Sequence, residues 1–337
     1  MTDTARFWLA DAQKTECVGA SLARSLYTVP LTISVRGELG SGKTTFIKGF
    51  AQALGIREAL TSPTYALEQR YSHGSLELLH IDLFRLPAEE GQKLVSASDD
   101  HTGFRCIEWT NRLPEPLQEP LIEVAIEEKN SGRSMNMTFR DIPLPSRKEI
   151  LAWREETKLP DHIARHCDVV GTVAEKLAHA LHERCVVARS RTLRRGGEVH
   201  DLFRFLDFRL TGNASSDEDK PSEEQQRTWS LWRERYSHLR HEAACREFLR
   251  ERGYLALAEI VAVHGLTLPS PDRTTTEQKI LFYADKRVQI DRVVSLEERF
   301  KDFNFRYAGG VESERSRIWF DEAKRVEREL LPGGTPL

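Results

Sequence analysis

The stretch SVRGELGSGKTTF, residues 34–46, decides the fold of the first half of this chain. It ends the β-branched run LTISV at 31–35 and opens a helical pattern, so a glycine-rich loop sits between a strand and a helix. The spacing fits G-x-x-x-x-G-K-[ST], and strand before with helix after is the context that gives the pattern its meaning. Glycines let backbone N–H groups curl around an anion, and the helix N-terminus adds its dipole. Lys43 then reaches terminal phosphates and Thr44 ligates magnesium. The loop residues Gly37, Glu38, Leu39, Gly40, Ser41, Gly42, Lys43, Thr44 and Thr45 are therefore the ATP-binding candidates, with Mg as the accompanying ion.

Outward from the loop, helix and strand alternate up to about residue 145. Apolar spacing predicts helices over 15–26 and 45–54, the second stopping at Gly55. Strands are expected at 76–81, 104–108, 121–127 and 135–140, a small α/β sheet that is parallel at its heart with an antiparallel edge near its end. The turn-rich DIPLPS at 141–146 closes this domain, assigned to 1–145. A P-loop also needs a carboxylate at the end of a neighbouring strand. Asp82 and Glu108 stand at two such ends, where a solvated turn residue is the other reading.

At 337 residues with 39% hydrophobic content, the chain exceeds what one core usually serves, so two domains are expected. A formal charge of −3 argues against nucleic-acid binding by bulk electrostatics alone, and direct tRNA contact is left open. Cys17, Cys106, Cys167, Cys185 and Cys245 are odd in number and form no C-x-x-C. With no charged n-region ahead of an apolar stretch, a reduced, cytoplasmic protein is expected. No apolar run approaches the roughly 18 residues needed to span a bilayer.

GELGSGKTTF, then TSPTY at 61–65, HIDLFRL at 80–86 and IEW at 107–109 together resemble the TsaE (YjeE) family of small bacterial ATPases, over roughly residues 5–140. The resemblance implies an ATPase that serves synthesis of N6-threonylcarbamoyladenosine (t6A) in tRNA, acting with the TsaD and TsaB proteins and cycling between ATP and ADP. It implies that Thr61, Ser62 and Thr64 form a switch-like loop near the γ-phosphate. Asp82 would be the Walker-B-type acid, Glu108 would help hold magnesium, and Trp109 would sit beside the nucleotide. Lys43, Asp82 and Glu108 are the catalytic candidates.

Beyond 147 the strand signals vanish, and 147–157, 161–183, 186–208, 223–252, 254–264 and 276–290 all read as helix. The polar, acidic 211–226 reads as a mobile loop within this all-α domain, assigned to 146–337, and the terminal PGGTPL as frayed. His166, the adjacent pair His200 and Asp201 on one helix, His241, His264 and Asp285 supply imidazoles and carboxylates from distant sequence. Such groups suit iron, manganese, nickel, zinc, cobalt or magnesium. In this order they resemble the HD-domain phosphohydrolases, closest to the YqeK-like branch, over about 158–305. The resemblance implies one or two divalent metals and hydrolysis of a nucleotide or phosphate ester. Gly196 and Gly197 depart from it, preceding the pair where a firmer helix is expected. Arg184, Arg189, Arg191, Arg194, Arg195 and Arg204 lead into the pair, either to grip a substrate phosphate or as a solvated basic face. His162, His179, His182 and His238 have no motif support and read as surface residues.

The sequence thus points to an α/β P-loop NTPase fold followed by an all-α HD domain, a bifunctional ATPase and metal-dependent phosphohydrolase. Two other readings stay open: a nucleotide switch with a sensing, non-catalytic HD domain, and a nucleotide or polynucleotide kinase fused to a phosphatase. The TSPTY and IEW elements weigh against a kinase.

Overall fold

Strand β1 (Asp3–Leu9) alternates buried and exposed residues along its whole length, as a strand with one face on a core must. By contrast β2 (Leu31–Arg36), β4 (Leu76–Asp82) and β5 (Phe104–Glu108) are almost wholly buried, which marks strands covered on both faces. With β3 (Glu68–His73), β6 (Leu121–Lys129) and β7 (Gly132–Arg140) they form a seven-stranded sheet of order β1-β7-β6-β2-β5-β4-β3 in the computed structural model, which describes residues 2–208, 221–308 and 311–334. β2 is parallel to β5 and β6, and β4 is parallel to β5, so the parallel heart is present. Antiparallel pairs lie at both edges rather than one. The edge strands β1 and β3 and the short helix α3 (Ala88–Ser96) escape the sequence reading, β3 because EQRYSH is polar almost throughout. Helix α1 (Ala12–Leu22) starts earlier than expected because Asp11 caps it by accepting from the Lys14 amide at 2.8 Å.

The chain divides into two units, Met1–Pro143 with Ala178–Ser190, and Leu144–Leu177 with Arg191–Leu337. The first unit therefore draws on a segment far beyond the expected boundary at 145. Cys185 and Val187 join its hydrophobic core. The Val187 amide donates to Ser21 Oγ at 2.8 Å, and Arg189, wholly buried, pairs with the buried Asp141 at 2.6 Å and donates to the Ser25 carbonyl. His182 is buried here against Phe7, not at the surface. Replacing Arg189 by Met strands the Asp141 charge, so stability should fall by about 3–5 kcal/mol in urea titration. A loss below about 1 kcal/mol would show that Asp141 has another adequate partner.

The second unit is built on helices. α4 (Arg147–Glu156) opens with a Ser146–Glu149 capping box, and α5 (Asp161–His182) follows. The helix expected over 186–208 is only α6 (Ser190–Val199), and His200 and Asp201 lie in the turn that ends it, not on a helix. Gly197 has a packing reason: a Cβ there would meet the Gly171 backbone at 2.3 Å, so glycine at 171 and 197 lets α5 and α6 cross in near contact, whereas a Cβ at Gly196 would meet only ordinary contacts at 3.5 Å and beyond. Phe203 anchors the turn, fully buried against Trp232, Tyr236 and Phe248 with ring centres 5.1–5.3 Å away. The span 223–252 is two helices, α7 (Glu223–Arg235) and α8 (His241–Glu251), separated where His238 takes a φ of 68°. Of the loop expected at 211–226, residues up to 220 lie outside the described residues, whereas Ser222 and Gln225 form a capping box that starts α7. The terminal 335–337 also lie outside them. α9 (Leu255–Val261) and α10 (Thr276–Lys286) follow, and a two-stranded ribbon, β8 (Val288–Gln289) and β9 (Arg292–Val293), ends α10 earlier than 290. α11 (Leu296–Ala308) and α12 (Glu314–Leu330) complete the unit. Among the described residues no helix is long and apolar enough to cross a membrane.

Candidate functional site

Parallel pairing brings the C-terminal ends of β2, β5 and β4 to one edge of the sheet, with Val35 and Asp82 each in register with Glu108. That edge is where open α/β sheets bind ligands. From β2 the chain enters the glycine loop, in which Gly40 and Gly42 have φ of 80° and 105°, and then α2 (Lys43–Ala53). The N-cap is Gly42, without a side chain to occupy the first amides, and the first turn has no acidic residue. Its amide groups and dipole are left for an anion.

Lys43 Nζ donates to the carbonyls of Gly37 and Glu38, each at 2.9 Å, and lies 3.8 Å from the ring centre of Trp109. Burial pushes the lysine pKa down, opposed by Glu108 and Asp82. Thr44 Oγ1 donates to Glu108 Oε1 at 2.8 Å. Asp82 accepts from Thr64 Oγ1 at 2.6 Å, from Ser62 Oγ at 3.2 Å and from the Phe84 amide at 2.9 Å. A cavity of about 210 Å³ gathers Leu39, Gly40, Gly42, Lys43, Thr44, Thr45, Ser62, Thr64, Asp82, Glu108 and Trp109. Thr61 is not in its wall and faces Gln69 at 3.3 Å, and Gly37, Glu38 and Ser41 do not line it. Thr44, Asp82 and Glu108 present hard oxygen donors, the set that magnesium prefers. Two residues that sequence reasoning missed belong here: Phe84, packed on Trp109 with ring centres 4.9 Å apart, and His80, two residues before Asp82 and so on the same strand face.

In the second unit, α5, the turn after α6, the start of α8, the segment after α9 and the end of α10 bring all six expected residues together. His166 Nε2 is 3.1 Å from Asp285 Oδ1, and His200 Nε2 lies 3.7 Å from Asp285 Oδ1 and 3.8 Å from Asp201 Oδ2, too far for hydrogen bonds. His241 and His264 present Nε2 to Asp201 Oδ1 at 3.1 and 3.4 Å, and to each other at 3.3 Å. The remaining ring nitrogens decide the tautomers. His166 Nδ1 faces the Ile290 carbonyl at 2.9 Å, His200 Nδ1 that of Gly197 at 2.8 Å and His264 Nδ1 that of Val261 at 2.6 Å. His241 Nδ1 faces Asp207 Oδ2 at 2.6 Å. These carbonyl and carboxylate oxygens accept, so each Nδ1 is assigned a proton, and each Nε2 points toward the two carboxylates, where it would offer a lone pair to a bound divalent ion. Four Nε2 atoms converging on two carboxylates form a donor set that suits a divalent metal, and His200 Nε2, buried, has no hydrogen-bond partner. Burial tends to raise Asp201 and Asp285, yet His200 and Lys286 respectively hold both well below the usual carboxylate range.

A cavity of about 610 Å³ opens onto this cluster, with Arg204, Arg240, Lys286, Arg299 and Arg315 in its wall. From the basic run only Arg204 reaches it. Arg194 and Arg195 pair with Glu198, and Arg189 belongs to the first unit. His162, expected at the surface, lines this cavity. Asp207, which fixes His241, was missed here, as were Arg240 and Lys286 in the cavity wall; Asp207's place shortly past the HD pair carried no periodic signal.

The family profile described as "Threonylcarbamoyl adenosine biosynthesis protein TsaE" matches residues 9–135. The tRNA threonylcarbamoyladenosine biosynthesis protein TsaE of Synechocystis is 34% identical over 114 residues, 32% of this chain and 72% of that protein. Its counterpart in Treponema pallidum is 37% identical over 117 residues, 34% of this chain and 85% of that protein. A crystal structure of a predicted HD superfamily hydrolase involved in NAD metabolism from Clostridium acetobutylicum is similar at 15% identity and a TM-score of 0.31, covering 54% of this chain and 99% of that one.

Proposed function

Because the chain belongs to the TsaE family through its first half, we propose that its P-loop site hydrolyses ATP in support of tRNA t6A synthesis with TsaD and TsaB. The observation that supports this most is the convergence of Lys43, Thr44, Ser62, Thr64, Asp82, Glu108 and Trp109 on one cavity. Lys43 binds the β- and γ-phosphates, and Thr44, with Asp82 and Glu108 nearby, holds magnesium. The segment from Ser62 to Thr64 is tied to Asp82 through hydroxyls, so a change at the metal and γ-phosphate is felt by the loop that carries the exposed Tyr65. The full chain should therefore bind a TsaD and TsaB pair more tightly with a non-hydrolysable ATP analogue than with ADP, since only differential affinity lets a nucleotide regulate docking. Equal affinities in a calorimetric titration would remove the switch and leave a plain ATPase.

For the second unit we infer a metal-dependent phosphohydrolase acting on a nucleotide or another phosphate ester. The inward-facing Nε2 atoms of four histidines beside Asp201 and Asp285 carry this reading. His166, His200, Asp201, His241, His264 and Asp285 would hold one or two divalent ions, which supply a hydroxide nucleophile and charge stabilisation of a phosphoryl oxygen. Arg204, Arg240 and Lys286 stand in the cavity wall to bind and orient the phosphate. Metal analysis of the purified protein, followed by a phosphate-release screen over mono-, di- and dinucleoside phosphates, tests it. Bound metal with no turnover of any member would favour a sensing role instead.

A further inference from the structure

His80 is buried at the heart of the sheet with 0% exposure, where an aliphatic residue would pack without polar cost. Its Nε2 lies 3.0 Å from Glu108 Oε1, while Nδ1 is buried with no hydrogen-bond partner. A core that leaves one nitrogen unsatisfied bears a desolvation cost and gains nothing from this histidine in packing terms. What it obtains is a fixed carboxylate. Nε2–H donates to the same oxygen that accepts from Thr44 Oγ1 at 2.8 Å, so both bonds end on Oε1 and Oε2 is the oxygen left to act in the cavity that Glu108 lines.

We propose that His80 is a positioning residue of the ATPase: from the adjacent strand β4 it locks the rotamer of Glu108 so that Oε2, and not Oε1, is presented to the cavity where magnesium and the γ-phosphate would bind. This rests on the reading of the P-loop site as an ATPase. Hydrogen bonds of this kind behind a ligating carboxylate orient it without touching the ion, and their loss typically costs about 10–100-fold in activity or metal affinity. Glu108 without its brace rotates away from the productive geometry. ATP itself, gripped by Lys43 and the loop amides, is unaffected.

The test uses the full chain and four variants, His80→Leu, His80→Gln, Glu108→Gln and His80→Leu combined with Glu108→Gln. In His80→Leu, kcat for ATP hydrolysis should fall about 10–100-fold, and calorimetry should show a higher magnesium requirement with affinity for a non-hydrolysable ATP analogue within about twofold of the parent. His80→Gln, which keeps a donor, should recover part of kcat. In the Glu108→Gln background His80→Leu should cause no further loss, because the group it positions is already gone. An unchanged kcat in His80→Leu overturns the proposal, and so does a parallel loss of kcat, nucleotide affinity and melting temperature that His80→Gln fails to improve. Should His80→Leu not fold, His80→Gln with parental kcat and magnesium requirement supports the donor role, and His80→Gln as impaired as Glu108→Gln overturns it. Failure of the parent chain to hydrolyse ATP would instead count against the ATPase reading and is seen before any variant is made.

Discussion

Asp201→Ala should purify with less than about a tenth of the parental metal and lose phosphohydrolase turnover by about 10³-fold, while ATP hydrolysis persists. Asp201 Oδ1 faces the Nε2 atoms of both His241 and His264, and Oδ2 faces His200, so one carboxylate serves three imidazoles. Removing it takes away the negative charge that would balance a cation there and leaves the Nε2 atoms of His241 and His264 facing each other at 3.3 Å. Asp201→Asn separates charge from shape. The amide fills the same volume and should still fail to retain metal, because a neutral oxygen binds a divalent ion far more weakly than a carboxylate. The readout is elemental analysis of folded protein, with circular dichroism to establish folding. Full metal content in folded Asp201→Ala would exclude Asp201 from the ligand set.

The glycine loop and the order of the candidate ligands were legible because each rests on chemistry that tolerates few substitutes. Glycine readily accepts the φ of Gly42, and imidazole with carboxylate is a donor set that suits these metals where no cysteine is present. Parallel strands were legible as continuous apolar runs, which is why β2 and β5 stood out while the polar edge strand β3 did not. Long-range insertions left no local trace. Nothing near Ala178–Ser190 indicates that Val187 will be bonded to Ser21, since the pairing joins residues 166 positions apart. Helix continuity was over-read between 186 and 208, where apolar residues continue at helical spacing although the backbone turns at His200. Tertiary packing, with Phe203 inserted among three aromatic rings at about 0.5–1.5 kcal/mol each, outweighs local propensity there. The same turn lifts His200 and Asp201 off the helix, and that frees both side chains to face Asp285 and His241 respectively.

Lys43→Ala should lower ATP hydrolysis by at least about 10²–10³-fold, the usual cost of removing one preorganised donor to developing charge. The lysine is preorganised for this role. Its ammonium bridges the Gly37 and Glu38 carbonyls and rests over Trp109, so it is fixed above the loop whose amides are left for an anion. Alanine keeps the α2 backbone, because Lys43 is the first helical residue and alanine favours that position. Nucleotide affinity should fall as well, since the charge on the β- and γ-phosphates is present in the ground state and not only in the transition state. Metal content and phosphoester hydrolysis in the second unit should remain parental, because none of the six candidate ligands lies in the unit that carries Lys43. The comparison is made on one preparation, with ATP turnover, metal content and release of phosphate from a chromogenic ester measured side by side. Loss of both activities in a folded Lys43→Ala protein would mean that the two sites act as one, and the assignment of separate chemistries to the two units would fall.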